Sequence, residues 1–179
     1  TPGAANTLPD VNHAPVLTAI GARSVDEGTR LEFTASANDP DASQTLSYTF
    51  DTLPPGASVN GATFGWTPAE PQGPGIYSVK VTVTDNGRPP ASVSETVVIT
   101  VNEVNTPPGL PAVGPQSAVA GVPWTLIATG SDADLPVQGL VHSLQVKPPG
   151  ATIVASTGAI AWTPLDAQVG SQRFVVRVT

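Results

Sequence analysis

Residues 82–108, TVTDNGRPPASVSETVVITVNEVNTPP, contain the end of one strand, a turn, a whole second strand and a joint leading into another module. Side chains of a strand alternate between its two faces, so a period of two marks a half-buried strand. Tyr77, Val79, Val81 and Val83 fall on one face, with Ser78, Lys80 and Thr82 on the other. Val97, Ile99 and Val101 alternate in the same way with Thr96, Val98 and Thr100. Between the two runs, Asp85-Asn86-Gly87 suits a turn, because Asn and Gly tolerate positive φ and Asp bonds nearby amides. The polar joint Asn102-Glu103-Val104-Asn105 ends at Thr106-Pro107-Pro108, where proline bars both a helix and an inner strand.

Working outward, the chain repeats itself. Asn12-His13-Ala14-Pro15 returns as Asn105-Thr106-Pro107-Pro108 at an offset of 93 residues, and Asp39 and Asp41 return as Asp132 and Asp134 at the same offset. Pro54-Pro55-Gly56-Ala57 returns at 94, Trp66-Thr67-Pro68 at 96, and residues 81–84 return as 176–179 at 95. Small loop insertions account for the drift. The division expected is a linker at 1–11, one repeat at 12–103 and a second at 104–179.

Each repeat reads as an all-β, immunoglobulin-like Greek-key sandwich. In the first, strands are expected at 16–25, 30–37, 45–50, near Ser58, and at 63–67, 76–84 and 93–102. Seven short strands separated by turn signals match the immunoglobulin-like count. Pro54-Pro55-Gly56 suits a type II turn, with Pro setting φ and Gly supplying positive φ. The second repeat stops at Thr179, the counterpart of Thr84, and so lacks its last strand. The expectation is a truncated piece of a longer array, with donation of that strand by another chain as the alternative.

Composition narrows the functional classes. The 179 residues carry 14 acidic against 7 basic side chains and no Cys. The acidic balance disfavours nucleic acid and anionic membranes, and no apolar run approaches the length of a membrane span. Two isolated His and no Cys leave no nucleophile–base pair, so no enzyme is expected. The repeat-equivalent Trp66 and Trp162 read as core anchors rather than as a glycan platform.

Strand polarity gathers the acids. In the first sandwich, Asp39, Asp41 and Asp85 lie on loops at the near pole, where the chain enters, beside Asp10 and Asn12. Glu27 lies at the far pole beside Asn102, Glu103 and Asn105, to which the second repeat adds Asp132 and Asp134. Glu70 also falls at that pole, where it reads as a solvated loop charge. Crowded carboxylates repel unless a cation sits among them. The hard, oxygen-rich set suits calcium and excludes soft metals.

The same residues carry a family resemblance over nearly the whole chain. The Asp85-x-Gly87-x-Pro89 turn, the strand after it and the thinned linker from Asn102 to Pro107 resemble the close of a cadherin repeat. Trp66-Thr67-Pro68, which replaces a Leu-Asp-Arg-Glu motif, is more similar to the dystroglycan-type cadherin-like and immunoglobulin-like tandem repeats of bacterial surface proteins. The resemblance implies calcium ligands at Glu27, at Asp39 and Asp41, at Asp132 and Asp134, and at Asp85. The second repeat has Val119-Ala120-Gly121 where the first has Asp26-Glu27-Gly28. The function it implies is a non-catalytic, calcium-rigidified spacer or adhesion stalk of a large extracellular surface or secreted protein, partnered by neighbouring repeats of its own chain. The alternatives are a glycan- or protein-binding module appended to a secreted enzyme, and a filament subunit completed by strand donation.

Overall fold

The computed structural model describes residues 11–179, so the expected linker lies almost wholly outside the described residues. The chain divides into two compact units, Thr1–Val104 and Asn105–Thr179.

Among the described residues the first unit contains nine strands. In chain order they are β1 (Val16–Leu17), β2 (Arg23–Asp26), β3 (Leu31–Thr34), β4 (Ala37–Asn38), β5 (Ser47–Asp51), β6 (Ser58–Asn60), β7 (Thr63–Trp66), β8 (Gly75–Thr84) and β9 (Ser92–Asn102), with a 3₁₀ turn at Glu70–Gln72 between β7 and β8. One sheet has the order β2-β9-β8-β5 and the facing sheet β3-β7-β6, and the short β1-β4 pair forms a separate two-stranded sheet. All ladders are antiparallel except β2 with β9, which is parallel, from Arg23↔Ile99 to Asp26↔Asn102. The fold is all-β and immunoglobulin-like.

The alternation in residues 77–101 is realised directly. Val79, Val81, Val83, Val97 and Ile99 are fully buried, and Val101 nearly so. Across from them, Phe33 of β3 stacks on Phe64 of β7 at 4.9 Å, and Phe50 of β5, in the same sheet as the valines, lies 6.4 Å from Phe64. Trp66 meets Tyr77 edge-on at 4.9 Å and donates its indole N–H to the Pro55 carbonyl at 3.1 Å, which satisfies its one polar atom in the core. Both repeats of Pro-Pro-Gly-Ala close their turns, with Gly56 at φ 83° and Gly150 at φ 82°.

The first expected strand, 16–25, is two strands that belong to different sheets. Pairing of β1 with β4 ends at Leu17, and β2 then joins β9. At the crossover the two carboxylate oxygens of Glu95 accept the backbone N–H of Ile20 at 2.9 Å and of Gly21 at 2.7 Å. Those amides are leaving one ladder before entering the next, and Glu95 supplies the acceptors they would otherwise lack.

The second unit has β10 (Trp124–Ile127), β11 (His142–Val146), β12 (Thr152–Ile153), β13 (Ala159–Trp162) and β14 (Val175–Val178), with a 3₁₀ turn at Asp166–Gln168. Its sheets are β10-β13-β12 and β11-β14. Trp124 pairs in register with Trp162, as Leu31 does with Trp66, and both tryptophan rings lie 5.6 Å from Phe174. His142, the counterpart of Tyr48, is buried and joined through its ring to Gly130 and Ala155.

Candidate metal centre

Three connections of the first unit end at one pole. Because β2 and β9 are parallel, both deliver their C-terminal ends there, carrying Glu27 and Glu103 just beyond Asp26 and Asn102. The β7–β8 connection brings Glu70 to the same place on its 3₁₀ turn. Gln72 holds that turn, accepting from the Ala69 amide at 2.8 Å and donating to Pro55 at 3.1 Å, while the Tyr77 hydroxyl donates to the Gln72 carbonyl. One carboxylate oxygen each from Glu27, Glu70 and Glu103 lies within 4.8 Å of the other two.

Glu27 is the most enclosed of the three, at 7 % exposure. Its amide donates to the Asn102 carbonyl at 3.1 Å, and its Oε1 accepts the Val104 amide at 3.2 Å. Its Oε2 is buried with no hydrogen-bond partner among the described residues. Gly73 faces that oxygen so closely that a Cβ there would overlap it. A buried carboxylate oxygen is costly to leave unmatched, and this one belongs to a carboxylate clustered with two others. Calcium binds oxygen at about 2.3–2.6 Å, so oxygens on opposite sides of one ion lie about 5 Å apart. The three glutamates fit that requirement.

Glu70 therefore differs from its reading as a solvated loop charge: it is half-buried and part of the cluster. Asn102 contributes its backbone carbonyl to this pole, but its side-chain amide turns aside to Ser24 Oγ at 3.1 Å and Asp26 Oδ1 at 2.8 Å.

At the near pole, Asn12, Asp39, Asp41 and Asp85 form one hydrogen-bonded network. Asn12 donates to Asp85 and to the Pro89 carbonyl, and accepts from Gln44 at 2.7 Å. Asp39 Oδ1 accepts the Asp41 amide at 2.8 Å, an Asx turn. Asp41 is gripped by His13, whose backbone N–H donates at 2.6 Å and whose ring Nδ1 donates at 3.0 Å. These two bonds, backbone first, hold the Asp41 carboxyl below its ordinary range. Burial pushes the Asp85 carboxyl up, yet the Ala91 and Gly87 amides and the Asn12 side chain outweigh it, and the net direction is down. Asp10 lies outside the described residues.

The second unit repeats this arrangement. Asp132 accepts the Asp134 amide at 3.0 Å, Thr106 donates to Asp134 through N–H and hydroxyl, and Gln138 donates to Asn105 at 2.9 Å. The Asp-x-Asp pairs thus tie the linker to the sandwich in both units, a role carried by Gln44 and Gln138 as well. The recurrence of Gln at an offset of 94 was the sequence signal for them. Among the described residues the far-pole cluster is not repeated, and Ala120 stands in place of Glu27.

Residues 14–102 match the family described as "Putative Ig domain". Among solved structures the chain is similar to human CDH23 EC21-23, at 19% identity and a TM-score of 0.59, over 92% of this chain and 63% of that one. It is similar to mouse Cadherin-23 EC22-24 at 22% identity and a TM-score of 0.58, over 94% and 66%. The protocadherin GammaB4 extracellular domain aligns at 21% identity and a TM-score of 0.51, over 92% and 32%. The chain thus spans less than two thirds of each of these. A comparison with curated proteins finds none that matches. The 14–102 segment is an Ig-like domain of that family, and the chain as a whole has the fold of tandem cadherin extracellular repeats.

Proposed function

We infer that the chain is a non-catalytic module of an extracellular, bacterial surface or secreted protein, in which calcium stiffens a spacer or adhesion stalk. The observation that carries this reading is the clustering of the Glu27, Glu70 and Glu103 carboxylates, with Oε2 of Glu27 buried and unmatched. Glu27, Glu70 and Glu103 would hold the ion, with the Asn102 carbonyl beside them. Bound there, calcium neutralises the mutual repulsion of the carboxylates and fixes Glu103 and Val104, the segment by which the chain leaves the first unit. Immobilising that segment turns a swivel into a strut. Asn12, Asp39, Asp41 and Asp85, with Asp132 and Asp134 of the second unit, are proposed as further calcium-responsive positions. The partners are the neighbouring repeats of the same chain.

Extracellular calcium modules work with dissociation constants of order 10⁻⁴–10⁻³ M. Calorimetric titration with calcium should give an affinity in that range for the intact chain. The Glu27→Gln, Glu103→Gln pair should weaken it at least tenfold, while Glu32→Gln, in an exposed pair with Arg30, should not. Equal binding by both variants would exclude the glutamate cluster as the site.

A further inference from the structure

The first unit holds two Asn-Gly pairs, Asn60-Gly61 and Asn86-Gly87, each in a connection between strands. In such a pair the glycine has no Cβ to keep its amide nitrogen away from the asparagine side chain, so the two groups can react with each other. The pairs share this chemistry but not their surroundings. At Asn86-Gly87 the reacting groups are held. The Thr45 N–H donates to Asn86 Oδ1 at 3.0 Å, the Gly87 N–H donates to Asp85 Oδ1 at 2.9 Å, and the Asn12 side chain covers Gly87. Asp85 is itself buried and bonded to Asn12, which ties the nitrogen into the near-pole network. Asn60-Gly61 has none of these restraints. Both residues are exposed, and the space beside the Gly61 α-carbon is open. Among the described residues, neither the Asn60 side chain nor the Gly61 N–H has a hydrogen-bond partner. The pair sits at the hairpin between β6 and β7, where Asn60 faces Thr63 and Gly61 takes φ 59° at the first loop position.

We propose that Asn60 is a site of spontaneous covalent modification, deamidating through a succinimide formed with Gly61. The Gly61 nitrogen attacks Cγ of Asn60 and gives up its proton. The bond from Cγ to Nδ2 breaks, and ammonia leaves with that proton. Water then opens the ring at one of its two carbonyls. Opening at the side-chain carbonyl gives aspartate, and opening at the main-chain carbonyl gives isoaspartate. Aspartate adds a negative charge to an exposed turn and leaves the backbone intact. Isoaspartate lengthens the main chain by one carbon inside the hairpin. The register Ser58↔Gly65, Val59↔Phe64 and Asn60↔Thr63 cannot then be kept across the turn. Phe64 of β7 is fully buried, whereas β6 is an edge strand exposed along its length, so β6 is the strand that yields. The modification therefore loosens one edge of the sheet as the protein ages.

The experiment incubates the intact chain in mildly alkaline buffer, with and without denaturing urea, and follows its peptides by mass spectrometry. In the folded chain Asn60 should convert at least tenfold faster than Asn86. In urea the difference should collapse, because both sites are then bare Asn-Gly pairs. Asn60→Gln should block the conversion at this position. Amide exchange at 58–65 should quicken at least tenfold in the isoaspartate fraction but not in Asn60→Asp, which carries the charge without the added carbon. Equal rates at the two sites in the folded chain, faster conversion at Asn86, or a rate ratio that survives in urea would overturn the proposal. So would unchanged exchange at 58–65 in the isoaspartate fraction. Residues 58–65 include none of the three far-pole glutamates, so failure of the calcium reading leaves this result unaffected.

Discussion

Asp134 receives two hydrogen bonds from Thr106, one from its backbone N–H and one from its hydroxyl, each at 2.6 Å. Asp134 is 2 % exposed, so both bonds are made in a site that water hardly enters. Hydrogen bonds to a charged acceptor contribute about 1.5–3 kcal/mol each. Thr106→Val keeps the shape and the backbone bond but removes the hydroxyl, and it should cost the second unit about 1–2 kcal/mol in urea unfolding. A loss no greater than that of an exposed Thr→Val control would mean that the clamp contributes nothing.

Acid should loosen the near pole of the first unit. Asp41 and Asp85 both have their carboxyl pKa lowered by folding. The unfolded chain therefore holds these protons more tightly than the native one. The stability they contribute is complete above the unfolded value, roughly 3.9, and is lost as pH falls through the lower folded values. Melting temperature against pH should be flat in this contribution above about pH 5 and fall below about pH 4. Asp85→Asn should shrink the acid limb, and an unchanged limb would show that this carboxylate is not responsible.

Gly73 is expected to matter for a reason unconnected with backbone freedom. Its φ of −105° is open to any residue, yet a Cβ there would overlap Glu27 Oε2. Gly73→Ala must displace the glutamate from its cluster. Calcium affinity should fall at least tenfold while the sheet, read by circular dichroism, is retained. Wild-type affinity in this variant would show that Glu27 Oε2 need not occupy its present place.

Removing the acceptor at the sheet crossover should be costly. Glu95→Ala leaves the Ile20 and Gly21 amides without their carboxylate, and the cost should be about 1–3 kcal/mol. Hydrogen exchange should quicken first at residues 20–26, where β2 begins. Uniform quickening over the whole unit would instead mean global destabilisation.

Much of the fold was legible because strands announce themselves locally. The alternation around Val79, Val81, Val97 and Ile99 needs no partner to be read, and the repeat of Trp66 at Trp162 confirms the unit length. The split at Gly21 was not legible, since the acceptor that permits it, Glu95, lies 74 residues away in sequence. Glu70 was misread for a similar reason. Its position depends on a 3₁₀ turn anchored by Gln72 to Pro55, and a loop glutamate otherwise looks solvated. The Asp-x-Asp pairs were visible as ligand candidates, but their grip on His13 and Thr106 involves backbone N–H groups, which leave no trace in residue type.

The parallel ladder between β2 and β9 also decides how the first unit bears load. β2 lies near the start of the unit and β9 at its end, so tension on the two termini draws these neighbours past each other along their length. The pairs Arg23↔Ile99, Ser24↔Thr100, Val25↔Val101 and Asp26↔Asn102 are then sheared together instead of being unzipped one at a time. A hairpin pulled from its open end would yield bond by bond; this unit has to surrender the whole row at once.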